Sequence, residues 1–171
     1  MKINKKEILS YVGILVAVIL IRTFIATPVK VDGSSMNPTL KENDILILKK
    51  YDKSIERFDI VVINYKKTKL VKRVIGLPGE KIKIKTTKVG NNYFSEIYIN
   101  GEKLEENYGK EPIQSDGLAH EEITLASDEY FVLGDNRNNS SDSRIIGPIK
   151  KKDIMGVTTT RIIPKFGKID K

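Results

Sequence analysis

Ile60-Val-Val-Ile63 and Leu70-Val-Lys-Arg-Val-Ile-Gly-Leu-Pro-Gly79 decide how this chain is read. Both are short aliphatic, β-branched runs without helical period, and the second is closed by Gly76-Leu-Pro-Gly79, a strong turn signal. Outward from them, Val29-Lys-Val31, Ile45-Leu-Ile-Leu48, Glu129-Tyr-Phe-Val-Leu133 and the run over 154–162 read as further strands. Lys81-Ile-Lys-Ile-Lys85 alternates as the half-wet face of a strand. Tyr98-Ile-Asn-Gly-Glu-Lys-Leu104 places Asn100-Gly101 between apolar flanks, a hairpin cue. No stretch after residue 27 supports a long amphipathic helix. The predicted fold is mostly β, an antiparallel barrel or sandwich. Residues 84–122 read as more polar and irregular, a flap or small subdomain inserted between core strands.

Composition narrows the function. With 171 residues, 40% of them hydrophobic and 30% charged, the chain suits one domain with a real core and excludes disorder over most of its length. The absence of cysteine removes disulfides, thiolate nucleophiles and cysteine-ligated metals. One histidine cannot build a multi-histidine metal site, and His120 sits in a polar stretch that reads as a solvated loop. No metal or cofactor is expected, and an acyl-transfer enzyme built on this sequence needs a base other than imidazole. The net charge of +8 fits either nucleic acid or anionic lipid. The lysines are scattered, apart from Lys150-Lys151-Lys152, with no basic helix or aromatic-studded basic motif, so nucleic acid is set aside.

Residues 8–26 form the one long apolar stretch. At roughly 1.5 Å per residue a helix there would reach about 28 Å, close to the hydrocarbon thickness of a bilayer. Arg22 lies near the far end, where a charge can snorkel to the interface. Phe24 and Ile25 spoil the small-x-small pattern that a removable leader needs before its cut. The expectation is a retained transmembrane anchor over 8–26, with residues 1–7 cytoplasmic and 27–171 an extracytoplasmic β-rich domain.

Three later segments mix small, turn-forming and reactive residues. Gly33-Ser-Ser-Met-Asn-Pro-Thr-Leu40 carries hydroxyls beside a glycine that lets backbone come close. In Leu70–Gly79, Lys72 shares a strand face with Leu70 and Val74, and a buried lysine can be neutral near pH 7 and act as a base. Gly134-Asp-Asn-Arg-Asn-Asn-Ser-Ser-Asp-Ser-Arg144 follows an apolar strand as a loop held by its own side chains, with Asp142 and Arg144 able to pair. Taken singly, each also reads as something ordinary: a turn with serines, an exposed strand lysine, a solvated loop.

Together and in this order the segments resemble the bacterial type I signal peptidases, membrane-bound Ser–Lys endopeptidases, with Gram-positive-like compactness. Ser35-Met-Asn-Pro-Thr39 resembles the nucleophile box, Arg57-Phe-Asp-Ile-Val-Val62 a strand box, Lys72–Gly79 the lysine box and Gly134–Arg144 the last box. The resemblance implies Ser35 as nucleophile and Lys72 as general base. It implies Gly33, Ser35, Met36 and Val71 at the oxyanion and substrate-binding positions, with Ser140, Asp142 and Arg144 in support. It further implies an extended substrate, the signal peptide of a secreted preprotein, cut after small-x-small sites beside membrane lipid, with the secretion machinery nearby. Two departures stand out. Phe58 replaces a glycine, for which only a packing change is expected, and Gly33 stands where some members carry a serine that helps hold the oxyanion. The main rival reading is a non-catalytic, membrane-anchored homologue that binds exported chains without cutting them.

Overall fold

The structure is a computed structural model and describes residues 4–20, 26–50, 54–109 and 111–169. In chain order its elements are α1 (Lys5–Leu20), β1 (Ala26–Lys30), β2 (Ile45–Lys49), β3 (Ile60–Tyr65), β4 (Thr68–Gly76), β5 (Lys81–Val89), β6 (Asn92–Ile99) and β7 (Glu102–Lys103). There follow β8 (Ile123–Thr124), β9 (Glu129–Leu133), α2 (Ser143–Ile146), β10 (Ile149–Lys150), β11 (Ile154–Ile163) and β12 (Gly167–Lys168). The chain is mostly β with antiparallel sheets, as the sequence predicts.

An eight-stranded sheet runs β1-β2-β11-β3-β4-β9-β10, with β12 added to β11. Four consecutive aliphatic residues can all be buried only where both faces of a strand are covered. That is the case for β3: Ile60 and Val62 join a core with Met36, Leu40, Leu46 and Leu48, while Val61 and Ile63 join another with Val74, Tyr130, Val132 and Val157. β4 leaves solvent at Val71 and is buried from there to Gly76. The turn after it is pinned by Arg57, which donates to both Glu80 carboxylate oxygens and to the Ile75 carbonyl.

A second sheet, β7-β6-β5-β8, is inserted between β4 and β9. Its Ile82, Ile84, Ile97 and Ile99 pack with Ile75, Phe131 and Leu133 of the first sheet, so the two share one apolar layer. Asn100 and Gly101 take the left-handed conformations of the turn the Asn-Gly pair signals, joining Ile99 to Glu102. The expected irregularity of residues 84–99 is corrected: β5 and β6 pair without interruption from Ile82–Ile99 to Val89–Asn92. Toward the Val89–Asn92 end most side chains face solvent, so no apolar alternation marks those strands and backbone pairing holds them.

α1 begins at Lys5 and is described to Leu20, with no side chain buried. Among the described residues no helix is long and apolar enough to cross a membrane. The span read over 8–26 includes residues 21–25, which lie outside the described residues.

Candidate active site

Three features bring the segments together. Gly33 has φ of 82°, a left-handed conformation that turns the chain out of β1 into the serine segment. β4 carries Lys72 inward at 2% exposure. The loop after β9 then grips the serine segment: the Asn136 N–H donates to the Ser35 carbonyl at 3.0 Å, Asn136 Nδ2 to the Ser34 carbonyl at 3.2 Å, and Asn139 Nδ2 to Ser34 Oγ at 3.1 Å. The approach is close enough that a Cβ at Gly134 would collide with both the Ser35 carbonyl oxygen and Ser140 Oγ, which is why only glycine fits there.

In this frame Lys72 Nζ is hydrogen-bonded to Ser35 Oγ at 2.7 Å and donates to the Val71 carbonyl at 3.0 Å. Burial is the largest influence on the amine and lowers its pKa from 10.5 to about 8, against the pull of the Asp142 and Asp135 carboxylates, which favour the charged form. A substantial fraction of Lys72 is therefore neutral in mildly alkaline conditions, in contact with a hydroxyl. The Ser35 backbone N–H carries no hydrogen bond among the described residues.

The supporting positions also converge. Asp142 accepts from Arg144 Nε at 2.9 Å and Nη2 at 2.8 Å, and its Oδ2 accepts the Gly134 N–H at 3.0 Å. Arg144 Nη2 donates on to the Arg137 carbonyl, closing the loop upon itself. Ser140 Oγ is buried with no hydrogen-bond partner among the described residues. Met36 is placed differently from Ser35. Met36 is 1% exposed and belongs to the core cluster of Val29, Val31 and Leu40, so its side chain is core rather than pocket lining. Val71 is 8% exposed and offers Lys72 its carbonyl. His120 is exposed and bonds Asp116.

Sequence reasoning missed the neighbour of Lys72. Arg73 and Asp135 form a two-pronged ion pair with neither side chain exposed, Nε to Oδ1 at 2.9 Å and Nη2 to Oδ2 at 2.8 Å. Thr39 of the serine segment donates to the same carboxylate. The signal was available: an arginine inside an apolar strand needs a carboxylate, and Asp135 lies two residues past the end of the apolar strand β9. The expectation for Phe58 is also corrected. Its φ is 70°, so the chain holds a bulky residue in the left-handed region that glycine adopts without strain. Its N–H donates to the Val74 carbonyl and its own carbonyl accepts from Arg73 Nη1, while its ring packs on Tyr108, whose ring centroid lies 3.8 Å from the Arg73 guanidinium carbon.

Among the described residues no cluster of three or more His, Cys, Asp or Glu side chains could hold a metal ion. A cavity of about 730 Å³ lies beside the second sheet and does not include Ser35 or Lys72. A substrate lying as a strand needs an edge and shallow recesses, so enclosed volume does not point to the dyad.

The arrangement has relatives. The family model described as signal peptidase, peptidase S26, matches residues 5–163. Signal peptidase I P of Bacillus subtilis subsp. natto is 39% identical, covering 95% of this chain and 93% of that one. Signal peptidase I S of Bacillus subtilis (strain 168) is 39% identical, covering 91% and 89%. The crystal structure of a signal peptidase I from Enterococcus faecalis V583 aligns at 30% identity with a TM-score of 0.43, covering 61% of this chain and 96% of that one. With the family model spanning most of its length, the chain belongs to the signal peptidases of family S26.

Proposed function

We propose that this signal peptidase cuts preproteins by Ser–Lys acyl transfer, with Ser35 as nucleophile and Lys72 as general base. The observation that carries the reading is the 2.7 Å bond between Ser35 Oγ and a buried amine whose pKa is lowered to about 8. The neutral Lys72 amine takes the Ser35 proton as Oγ attacks the scissile carbonyl. The resulting oxyanion is met by the Ser35 N–H; one such donor is worth about 3–4 kcal/mol. Collapse transfers the Lys72 proton to the leaving amine and leaves an ester on Ser35. Water, deprotonated by the same amine, then hydrolyses it. The Asp142–Arg144 pair holds the loop that grips Ser35, Ser140 lies close against Gly134 of the same loop, and the Asp142 charge keeps the Lys72 pKa from falling further.

The reading extends to the anchor. α1 exposes Leu9, Ile14, Leu15 and Val18 by half or more among the described residues, which suits lipid as their neighbour. With residues 8–26 crossing the bilayer and residues 1–7 inside, Ser35 sits nine residues beyond the span, where a signal peptide leaves the membrane. Residues 27–171 are then extracytoplasmic, with the secretion machinery as neighbour. The test is cleavage of a preprotein with an Ala-x-Ala site by detergent-solubilised protein, beside Ser35→Ala and Lys72→Met. Release of the mature chain by the wild type alone supports the dyad; equal cutting by folded variants removes it, and binding without cutting by the wild type turns the protein into a chain-binding homologue.

A further inference from the structure

The second sheet has an unfinished edge. β7 pairs only with Tyr98 and Ile99 of β6, and beyond them the Leu104 N–H donates to the Ile97 carbonyl. Ile97 therefore turns its backbone away from β5. By the period of two, so do Ser95 and Tyr93, whose outward N–H and C=O groups have no ladder partner among the described residues. Along this edge lies the cavity of about 730 Å³, walled on its far side by residues 103–107 and 111–113. The far wall is fixed, since Ile113 is tied by its N–H to Ser95 Oγ and by its carbonyl to Thr86 Oγ1.

One wall residue of the groove, Arg137, belongs to the loop that grips Ser35. The same residue also lines a second cavity of about 200 Å³ that includes Ser140 and Arg144. Arg137 is 3% exposed and binds Glu106 through its terminal nitrogens, yet its Nε has no partner among the described residues. Asn138 fastens the groove wall to the loop of the site, accepting from the Gln114 N–H and donating to the Pro112 carbonyl. One residue before Arg137, Asn136 binds the Ser35 carbonyl. The lining mixes Lys85, Lys103, Glu105 and Glu111 with Tyr93 and Phe94. That surface is a poor host for an apolar signal sequence and a good one for a polar chain of no fixed sequence held by its backbone.

We propose that this groove takes the mature part of the preprotein, the extended polar chain beyond the cleavage site, as a strand added to β6. The inference rests on the peptidase reading above. The occupant's backbone meets the outward N–H and C=O groups of Tyr93 and Ser95 as the chain passes toward Ser35.

Because the chain has no cysteine, single cysteines test this cleanly. Phe94→Cys lies in the groove, and Val89→Cys, at the hairpin end outside its lining, is the control. Each is made with Ser35→Ala to hold substrate uncut and oxidised with preproteins carrying one cysteine on either side of the scissile bond. Disulfides from Phe94→Cys to mature-side positions only, and none from Val89→Cys, support the proposal. Disulfides to the signal side, to a second copy of the chain, or to nothing overturn it. In parallel, active Phe94→Cys capped with a bulky maleimide should raise KM about tenfold for a preprotein with a long mature part and leave a substrate ending just past the cut unchanged. Equal effects on both substrates overturn the groove. Wild-type cleavage of the same preprotein separates the failures: cutting without cross-linking sinks the groove alone, and no cutting sinks the peptidase reading and the groove with it.

Discussion

Lys72 and Arg73 are adjacent cations on β4, equally buried, and the strand delivers them into two differently built regions. Arg73 enters a charge-matched cluster in which the Asp135 carboxylate takes two of its donors, the Phe58 carbonyl a third, and the Tyr108 ring covers its face. Lys72 enters a region with no carboxylate in contact among the described residues, where a hydroxyl and a carbonyl are its partners and Asp142 and Asp135 act only through space. Burial beside a direct counter-ion leaves a charge in place and makes structure. Burial beside neutral dipoles lowers the cost of losing the proton and makes a base. The residue types suit these places, since guanidinium does not deprotonate in proteins and the amine does. Asp135 serves both regions: it pairs with Arg73, its charge acts on Lys72, and its hydroxyl partner Thr39 belongs to the serine segment.

Swapping the two cations breaks the comparison most sharply. With Lys72 as the proposed base, Lys72→Arg should lower kcat/KM by about four orders of magnitude or more, since a guanidinium cannot release its proton. Arg73→Lys should retain cleavage and lose stability instead. Preprotein cleavage alongside thermal melts reads both, and an active Lys72→Arg would remove the amine from the chemistry.

Next in size is the paired region. Asp135→Ala strands a buried guanidinium and should destabilise the fold by about 3–5 kcal/mol in chemical denaturation. The double change Arg73→Met with Asp135→Leu should recover most of that. A double mutant no more stable than the single would mean the pair contributes through geometry that apolar packing cannot replace.

Titration sharpens the Lys72 side. In the folded protein the amine loses its proton near 8, and in the unfolded chain near 10.5. Between these values the unfolded state binds more protons, so stability should rise with pH across that window, by an amount on the order of 3 kcal/mol at most. Below about pH 8 the burial penalty is fully present. Lys72→Met should abolish that slope and be more stable than wild type near neutral pH. The wild-type cleavage rate should fall about tenfold per pH unit below 8; a rate flat from pH 5 to 9 would contradict a titrating base.

The smallest effect concerns Phe58. Both Phe58→Ala and Phe58→Gly lose the ring on Tyr108, but only alanine keeps a side chain at the left-handed φ. Glycine should be the more stable of the two by about 1 kcal/mol in denaturant titrations. Equal stabilities would place the whole contribution of this position in the ring.

The legibility of these regions follows the range of the interactions behind them. β2, β3 and β9 were readable because burial is written locally, as alternation or as an unbroken aliphatic run. The outer halves of β5 and β6 were not, because both faces there meet solvent and the ladder depends on backbone bonds that polar side chains do not announce. Ser35, Lys72, Asp142 and Arg144 were legible through motif order. The Arg73–Asp135 pair is not legible in the sequence, because it joins β4 to the loop after β9. Phe58 was misjudged because a backbone dihedral leaves no trace in residue type when a bulky residue occupies a glycine's place.

By itself the sequence determined the β-rich class, the apolar stretch before it and the residue types able to do the chemistry, since each follows from local patterning and composition. The tertiary structure alone decided that Lys72 lies against Ser35 with no carboxylate in contact among the described residues, that Arg73 beside it pairs with Asp135, and that Tyr93 and Ser95 of β6 have no ladder partner among the described residues. The reason is physical: the state of a buried charge and the pairing of a strand edge depend on which groups arrive from distant parts of the chain, and only folding brings them there.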